Sequence, residues 1–200
     1  MIILVGIAGN STNQLNQPYG IARDPISKTL YIADYGNHRI MQYQWGQLSG
    51  MIVAGGHGPG TNRTQLNYPV AIHFDSSSNS LLIVNYGAHN VVRWVLGASQ
   101  WTLVAGSPNG TAGSSSTLLS SPVDVTLDPM KNVYVVDRDN NRVQLFLADQ
   151  LNGITIAGVT GVNGSNATLL NFPYAVILDA KLNLYVTDRY NHRVQKFLRY

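Results

Sequence analysis

Cysteine is absent from all 200 residues. That excludes disulfides and thiolate metal sites, and with them any small fold held together by cross-links. Charge is scarce as well. Asp, Glu, Lys and Arg make up 12% of the chain, about half the usual share, and Asn, Ser, Thr and Gly supply the polarity instead. The formal net charge is +3. No run of Lys or Arg occurs, so neither a nucleic-acid surface nor a membrane surface is expected. No apolar stretch approaches the roughly 18 residues that cross a bilayer, so no membrane insertion is expected. No segment keeps a helical period over about eleven residues. The opening run over residues 1–8 (MIILVGIA) lacks the basic flank of a signal peptide and reads as a strand. A secretion signal would lie upstream of it.

What the chain does contain is one sentence written four times. Its clearest copies are 16–43 (NQPYGIARDPISKTLYIADYGNHRIMQY) and 171–198 (NFPYAVILDAKLNLYVTDRYNHRVQKFL). Pro18, Pro69, Pro122 and Pro173 recur at spacings of 51, 53 and 51 residues. Asp34, Asn85, Asp137 and Asp188, each closing a hydrophobic run, recur at 51, 52 and 51. A period of that length means stacked supersecondary units. The units run over approximately 1–46, 47–97, 98–149 and 150–200 and form one expected domain, either whole or as a piece of a longer chain.

Each unit reads as four short strands rich in Val, Ile, Leu and Tyr, bounded by Asn, Asp, Gly and Ser. Strand a is expected over 21–24, 70–75, 123–128 and 174–179. Strand b is expected over 30–34, 81–85, 133–137 and 184–188. Strand c is expected over 39–43, 90–94, 142–146 and 193–197. Strand d is the run ending in Ala-Gly (50–55, 100–106 and 153–158), with 3–9 as its first copy. A four-stranded antiparallel sheet with two apolar faces is stable only when both faces are covered. The expected fold is therefore all-β: a β-propeller of four four-stranded antiparallel blades. The chain opens on a lone strand d and stops after a strand c, so its first strand is expected to complete the last blade. A larger ring holding these four units, or two chains pairing into eight blades, fits the same pattern. The assembly is accordingly a monomer or a ring-completing homodimer.

The runs 34–40 (DYGNHRI) and 188–194 (DRYNHRV), with the preceding Pro-x-x-Val/Ile and Leu-Tyr-Val/Ile, resemble the NHL repeat. The resemblance covers essentially the whole chain. The third unit keeps Asp137, Asn140 and Arg142 but has Asn141 in place of His. The second departs furthest, with Asn85 for Asp, Ala88 for Asn and Asn90 for Arg. The resemblance implies a propeller used as a protein-binding module, as an RNA-binding domain, or as an amidating lyase acting on peptidyl-hydroxyglycine with zinc and calcium.

The b–c turn is the first candidate for chemistry. Asp34 with Arg39, Asp137 with Arg142 and Asp188 with Arg193 are expected to pair across the hairpin, the carboxylate also accepting backbone N–H bonds within the turn. The second unit loses both charges together, as a paired structural role requires. His38, His89 and His192 share one turn position. Imidazoles gathered near an axis would suit zinc, whereas separate ones are hydrogen-bonding turn residues. His73, on the innermost strand, is a candidate for the channel, and His57 stands apart from the repeat. Asp24, Asp75, Asp128 and Asp179 each end a strand a. As a ring of carboxylates they would suit calcium, and singly they cap turns. Asp124 is a solitary charge where the other units have Gly20, Ala71 and Ala175, which makes it a candidate for a specific role. No catalytic-triad spacing, phosphate loop or HExxH occurs.

Five sequons, at Asn10, Asn62, Asn109, Asn163 and Asn166, all fall in the d–a loops. Sugars there would crowd the face that carries the histidine turns. The expectation is a non-catalytic interaction scaffold for a protein, peptide or glycan, extracellular or secreted, with a cytoplasmic placement as the alternative. A metal-dependent lyase or lactonase, and then an RNA-binding domain, stand behind it. No cofactor is expected for the scaffold; calcium or zinc would accompany the enzyme.

Overall fold

The computed structural model describes residues 6–199. Its strands fall into four antiparallel sheets of propeller-blade type. The first sheet is β1 (Pro18–Arg23), β2 (Leu30–Asp34), β3 (Arg39–Tyr43) and β4 (Met51–Gly55). The second is β5 (Pro69–Asp75), β6 (Ser80–Asn85), β7 (Asn90–Val95) and β8 (Thr102–Gly106). The third is β9 (Pro122–Leu127), β10 (Val133–Asp137), β11 (Arg142–Phe146) and β12 (Gly153–Gly158). The fourth holds β13 (Pro173–Leu178), β14 (Leu184–Asp188) and β15 (Arg193–Phe197). The first-copy strand expected over 3–9, and its completion of the last blade, lie outside the described residues for 1–5, while 6–9 form no strand.

Strands b and c stand where the residue pattern put them. Strand a instead begins at the proline in every unit, up to three residues earlier than expected. Proline is tolerated as a strand's first residue because its missing N–H interrupts nothing there. Each first strand then shifts register within its first three residues, for example between Pro18 and Ile21 and between Pro173 and Val176. This bulge re-aims the following side chains.

The chain divides into two compact units, residues 1–88 with 92–102, and 89–91 with 103–200. In the first unit β5 packs on β1 and β2. The approach is close: a Cβ on Gly20 would meet the Val70 carbonyl oxygen at 2.7 Å and the Ala71 Cα at 2.8 Å. Only a residue without a side chain fits there. In the second unit β13 packs on β9 and β10 in the same way. Apolar residues of strands b and c form the core. Ile32, Met41 and Tyr43 cluster with Leu15 and Leu30 in the first sheet, and Val135, Val136, Val143 and Phe146 are buried in the third.

Candidate functional site

The b–c turns and the d–a loops share one edge of each sheet. Between strands b and c lies a single 3-10 turn (Tyr35–Asn37, Tyr86–Ala88, Arg138–Asn140 and Arg189–Asn191). The residue after it has left-handed backbone: His38 at φ 53°, His89 at 51°, Asn141 at 54° and His192 at 53°. Residue types that tolerate this region are few, and Asn and His are among them.

Asp34, Asp137 and Asp188 are fully buried. The expected ion pairs form: Arg39, Arg142 and Arg193 each donate through Nε to the carboxylate at 2.7 Å. The expected turn cap does not form, because these carboxylates accept no backbone N–H from their own turns. The N–H comes instead from the entry to strand a. Asn16, Ser120 and Asn171 donate to Asp34, Asp137 and Asp188 at 2.7 Å. The turn amides are committed elsewhere, His38 N–H to the Tyr35 carbonyl and Gly36 N–H to the Asn16 carbonyl, and the loop that crosses the carboxylate supplies the donor.

Each Arg then grips that loop with its remaining donors. Arg39 reaches the carbonyls of Asn10, Ser11 and Gln14 at 2.7–3.1 Å. Arg142 reaches those of Ser114, Ser115 and Leu118, and Arg193 those of Ser165, Asn166 and Leu169. Asn37, Asn140 and Asn191 bridge the carboxylate to the carbonyls of Gly9, Gly113 and Gly164. The second repeat builds the lock without charge. Asn85 Oδ1 accepts from Asn67 N–H at 3.2 Å, and Asn90 donates to Ser107 O at 2.8 Å. Trp101 Nε1 takes over the arginine's loop contacts, donating to the Asn62 and Gln65 carbonyls at 3.1 and 3.0 Å.

The turn histidines do something the sequence did not disclose. His38 Nδ1 accepts the N–H of Tyr68 at 3.1 Å, at the entry to the next blade. His89 Nδ1 accepts from Ser121 at 3.0 Å. Asn141 does the same through Oδ1 with Phe172, also at 3.0 Å. Burial pulls both imidazoles below their ordinary range. The donors Tyr68, Ser121 and Phe172 are themselves left-handed, at φ 49–50°, each just before a strand-a proline. Such strain persists only where the surroundings over-determine it.

Asp124 also works between blades. Its Oδ2 accepts Val176 N–H at 2.8 Å and its Oδ1 accepts Val125 N–H at 2.9 Å. Burial nevertheless pushes the carboxyl up to about 6, against the pull of those two N–H groups. His73 is half-buried in β5, opposite Leu82. The acidic residues ending strand a do not gather but act on their own turns, Asp24 on Ile26 N–H, Asp75 on Ser77, Asp128 on Asn132 and Asp179 on Asn183, and Asp75 also pairs with Arg93 at 3.1 Å. Among the described residues no three His, Cys, Asp or Glu side chains gather as a metal would require. A cleft of about 210 Å³ in the second unit, beside Asp128, Tyr134, Leu145 and Phe197, lies on the a–b side.

What remains open on the turn face is aromatic. In the first unit Tyr19, Tyr35 and Tyr68 form a chain of tilted rings, with centroids 4.9 and 4.7 Å apart, and His38 meets Tyr68 edge-on at 4.4 Å. In the second unit Phe172 lies 4.9 Å from Tyr190. Arg138 stands over Phe172, and Arg189 over Tyr174 and Tyr190, at 5.2–5.8 Å. Tyr19, Tyr68, Tyr174 and Tyr190 are exposed. The five sequon asparagines are exposed too. Asn109 and Asn166 accept the hydroxyls of Thr111 and Thr168 at 2.9 and 3.0 Å.

The NHL repeat model matches residues 119–146 and 170–197. NHL repeat-containing protein 3 of Mus musculus is 33% identical over 44% of this chain, and the chain spans 26% of that relative. An auxiliary nutrient binding protein from Bacteroides thetaiotaomicron superposes with TM-score 0.69 at 19% identity, covering 88% of this chain and 46% of that one. A streptogramin B lyase superposes with TM-score 0.64 at 14% identity, covering 91% and 51%. The chain thus spans about a quarter of its curated relative and about half of each solved structure.

Two outcomes test the lock and the staple. Arg142→Asn strands a buried carboxylate and is expected to lower unfolding free energy by about 3–5 kcal/mol. Adding Asp137→Asn, in imitation of the second repeat, should recover much of that in urea denaturation. The two kinds of titrating group pull stability in opposite directions. Lowered histidine values mean stability is intact above the ordinary 6.5 and is lost as pH falls through and below it. The raised Asp124 value means stability is lost as pH rises from the ordinary 3.8 to about 6. In melts between about pH 4 and about pH 8, His38→Asn should therefore blunt the acid-side loss. Asp124→Asn should stabilise the neutral side by about 1–2 kcal/mol while keeping an acceptor for Val176.

Proposed function

This chain belongs to the NHL-repeat β-propeller family, and on that footing we propose that it is a non-catalytic scaffold that holds a peptide or glycan ligand on its b–c turn face. One observation carries the reading. Apart from the His192 ring, the charged and polar groups of the repeat motif are consumed in holding loops and blades, whereas exposed aromatic rings lie beside them. Carboxylates paired to arginine, and imidazoles engaged as backbone acceptors, are poorly placed to act on a substrate. Open aromatic rings supply a broad contact surface at small entropic cost. Arginine over aromatic faces adds donors suited to carboxylate or sulfate groups. The likeness in fold to a nutrient-binding protein fits a ligand-holding role.

The proposal includes an extracellular setting and glycans on Asn10, Asn62, Asn109, Asn163 and Asn166, supported by their exposure; on loops that share the turn edge, such sugars count against a large macromolecular partner and leave room for a small peptide or glycan. Expression through a eukaryotic secretory route should then add mass that a glycosidase removes. An unmodified secreted chain would overturn this part.

The ligand reading is tested on peptide and glycan arrays. Binding to at least one class is expected, with Tyr68→Ala weakening it roughly tenfold or more, since truncating a central aromatic anchor removes about 2 kcal/mol. Turnover of a cyclic ester or a hydroxyglycine peptide, abolished by stripping metal, would replace the scaffold with the lyase. Salt-dependent binding of single-stranded RNA alone would replace it with the nucleic-acid reading.

A further inference from the structure

Two blade junctions of the same design are filled differently. In the first unit Tyr31 of β2 is stacked on Phe74 of β5, with ring centroids 5.3 Å apart and planes 21° apart. Trp94 of β7 is buried in the same unit. In the second unit Tyr134 of β10 takes the place of Tyr31, three residues before the strand-b aspartate. The residues that would meet it are smaller. Leu178, paired with Leu184, stands where Phe74 pairs with Leu81. Phe197 of β15 stands where the second repeat has Trp94. Ring volume is missing from this junction, and the cleft of about 210 Å³ lies beside it.

Both walls of the cleft belong to paired strands. Leu145 of β11 and Ile156 of β12 line one side, and Leu184 of β14 and Phe197 line the other. Leu145, paired with Tyr134, replaces the Gln42 that is paired with Tyr31, which makes this wall apolar. Asp128 and Tyr134 bring an acceptor to it. Asp128 is 3% exposed and accepts Asn132 N–H through Oδ1 at 2.9 Å and the Tyr134 hydroxyl through Oδ2 at 3.3 Å. Burial first, and then the Asp128 charge, raise the Tyr134 phenol above its ordinary value, so its proton stays in place. A phenol that gives its proton to a carboxylate keeps its oxygen lone pairs for another donor. The exposed Arg199 also borders the cleft, which disfavours a cation and suits an electron-rich ring.

We propose that this cleft binds a small uncharged aromatic ligand carrying one N–H or O–H donor, of the size of indole or a phenol. Its ring takes the space that Phe74 fills in the first unit, and its donor meets the Tyr134 oxygen. Size agrees: an apolar cavity of about 150 Å³ takes up a benzene ring, and about 210 Å³ admits a somewhat larger one. Contact with Tyr134 follows the offset or tilted geometry that aromatic pairs favour. The site lies on the a–b side and uses none of the rings on the turn face, so it stands whether or not that face holds a ligand.

The test is calorimetric titration of the full chain with indole, and then with indene, which has the same shape and no N–H. Indole is expected to bind with a dissociation constant of roughly 1 mM or lower, and indene roughly fivefold more weakly. Leu178→Phe, copying Phe74, should fill the cleft and abolish detectable binding while the circular dichroism spectrum is kept. Leu145→Gln, copying Gln42 at a half-buried position, should weaken indole by making one wall polar. Tyr68→Ala, on the turn face, should leave indole binding unchanged, which separates the two sites. Binding of N-acetyltryptophanamide as well as indole would assign the site to an aromatic side chain of a peptide, and binding of indole alone to a free small molecule; either result supports the proposal. No binding of indole up to its solubility limit, equal binding of indene, or an affinity unmoved by both cleft variants would each overturn it.

Discussion

A buried carboxylate at the end of strand b is the constraint from which the rest follows. Asp34, Asp137 and Asp188 are taken out of water completely, and a buried charge must be paired and fully hydrogen-bonded to survive there. That need sets three further residues in each unit: an arginine, an asparagine three positions on, and a donor N–H from the loop before strand a. Because the donors come from a loop some 17–18 residues upstream, satisfying the charge also fixes the path of that loop. The loop in turn positions the proline and the left-handed residue before it. The blade junction and the aromatic rings on the turn face are consequences of that placement.

The repeat period, the all-β class and the bounds of strands b and c were legible because alternation and β-branched runs are local signals. The pairing of Asp137 with Arg142 was legible for the same reason, with five residues separating partners on one hairpin. The start of strand a at its proline was hidden, since proline ordinarily argues against a strand and the bulge behind it breaks the alternation. The staple from His38 to Tyr68 was hidden for another reason. Its partners are 30 residues apart and one of them is a backbone N–H, which no residue type announces. Asp124 drew notice as an isolated charge, but the pattern held no hint that Val176 N–H would be its partner. Trp101 drew none, although it inherits the work of an arginine missing from a different strand.

The second repeat shows what is required and what is only customary. It lacks the carboxylate, the bridging asparagine and the arginine, and still forms its turn, its loop and its junction. One indole satisfies two of the equivalent loop carbonyls, Asn85 accepts the equivalent loop N–H, and Asn90 turns to the Ser107 carbonyl of the following loop. The geometry of the loop is therefore the constant, and charge is one means of meeting it. A neutral set avoids the desolvation of two ions. The ionic set supplies more donors from a single side chain, which suits an arginine serving one carboxylate and three carbonyls at once.

The staple has a consequence for how disturbance spreads. The lock bonds stay within their own repeat or reach its immediate neighbour, as Asn90 does at Ser107 and Arg142 at Thr160, and the described staples reach only the next one, so the series behaves as a one-dimensional lattice with nearest-neighbour coupling. In such a lattice a defect perturbs the adjoining units and fades beyond them. The eroded motif of the second repeat, flanked by well-formed neighbours, is a record of that tolerance. Divergence can accumulate in one blade at a time, and a new surface can be tried on any one of them while the others keep the register.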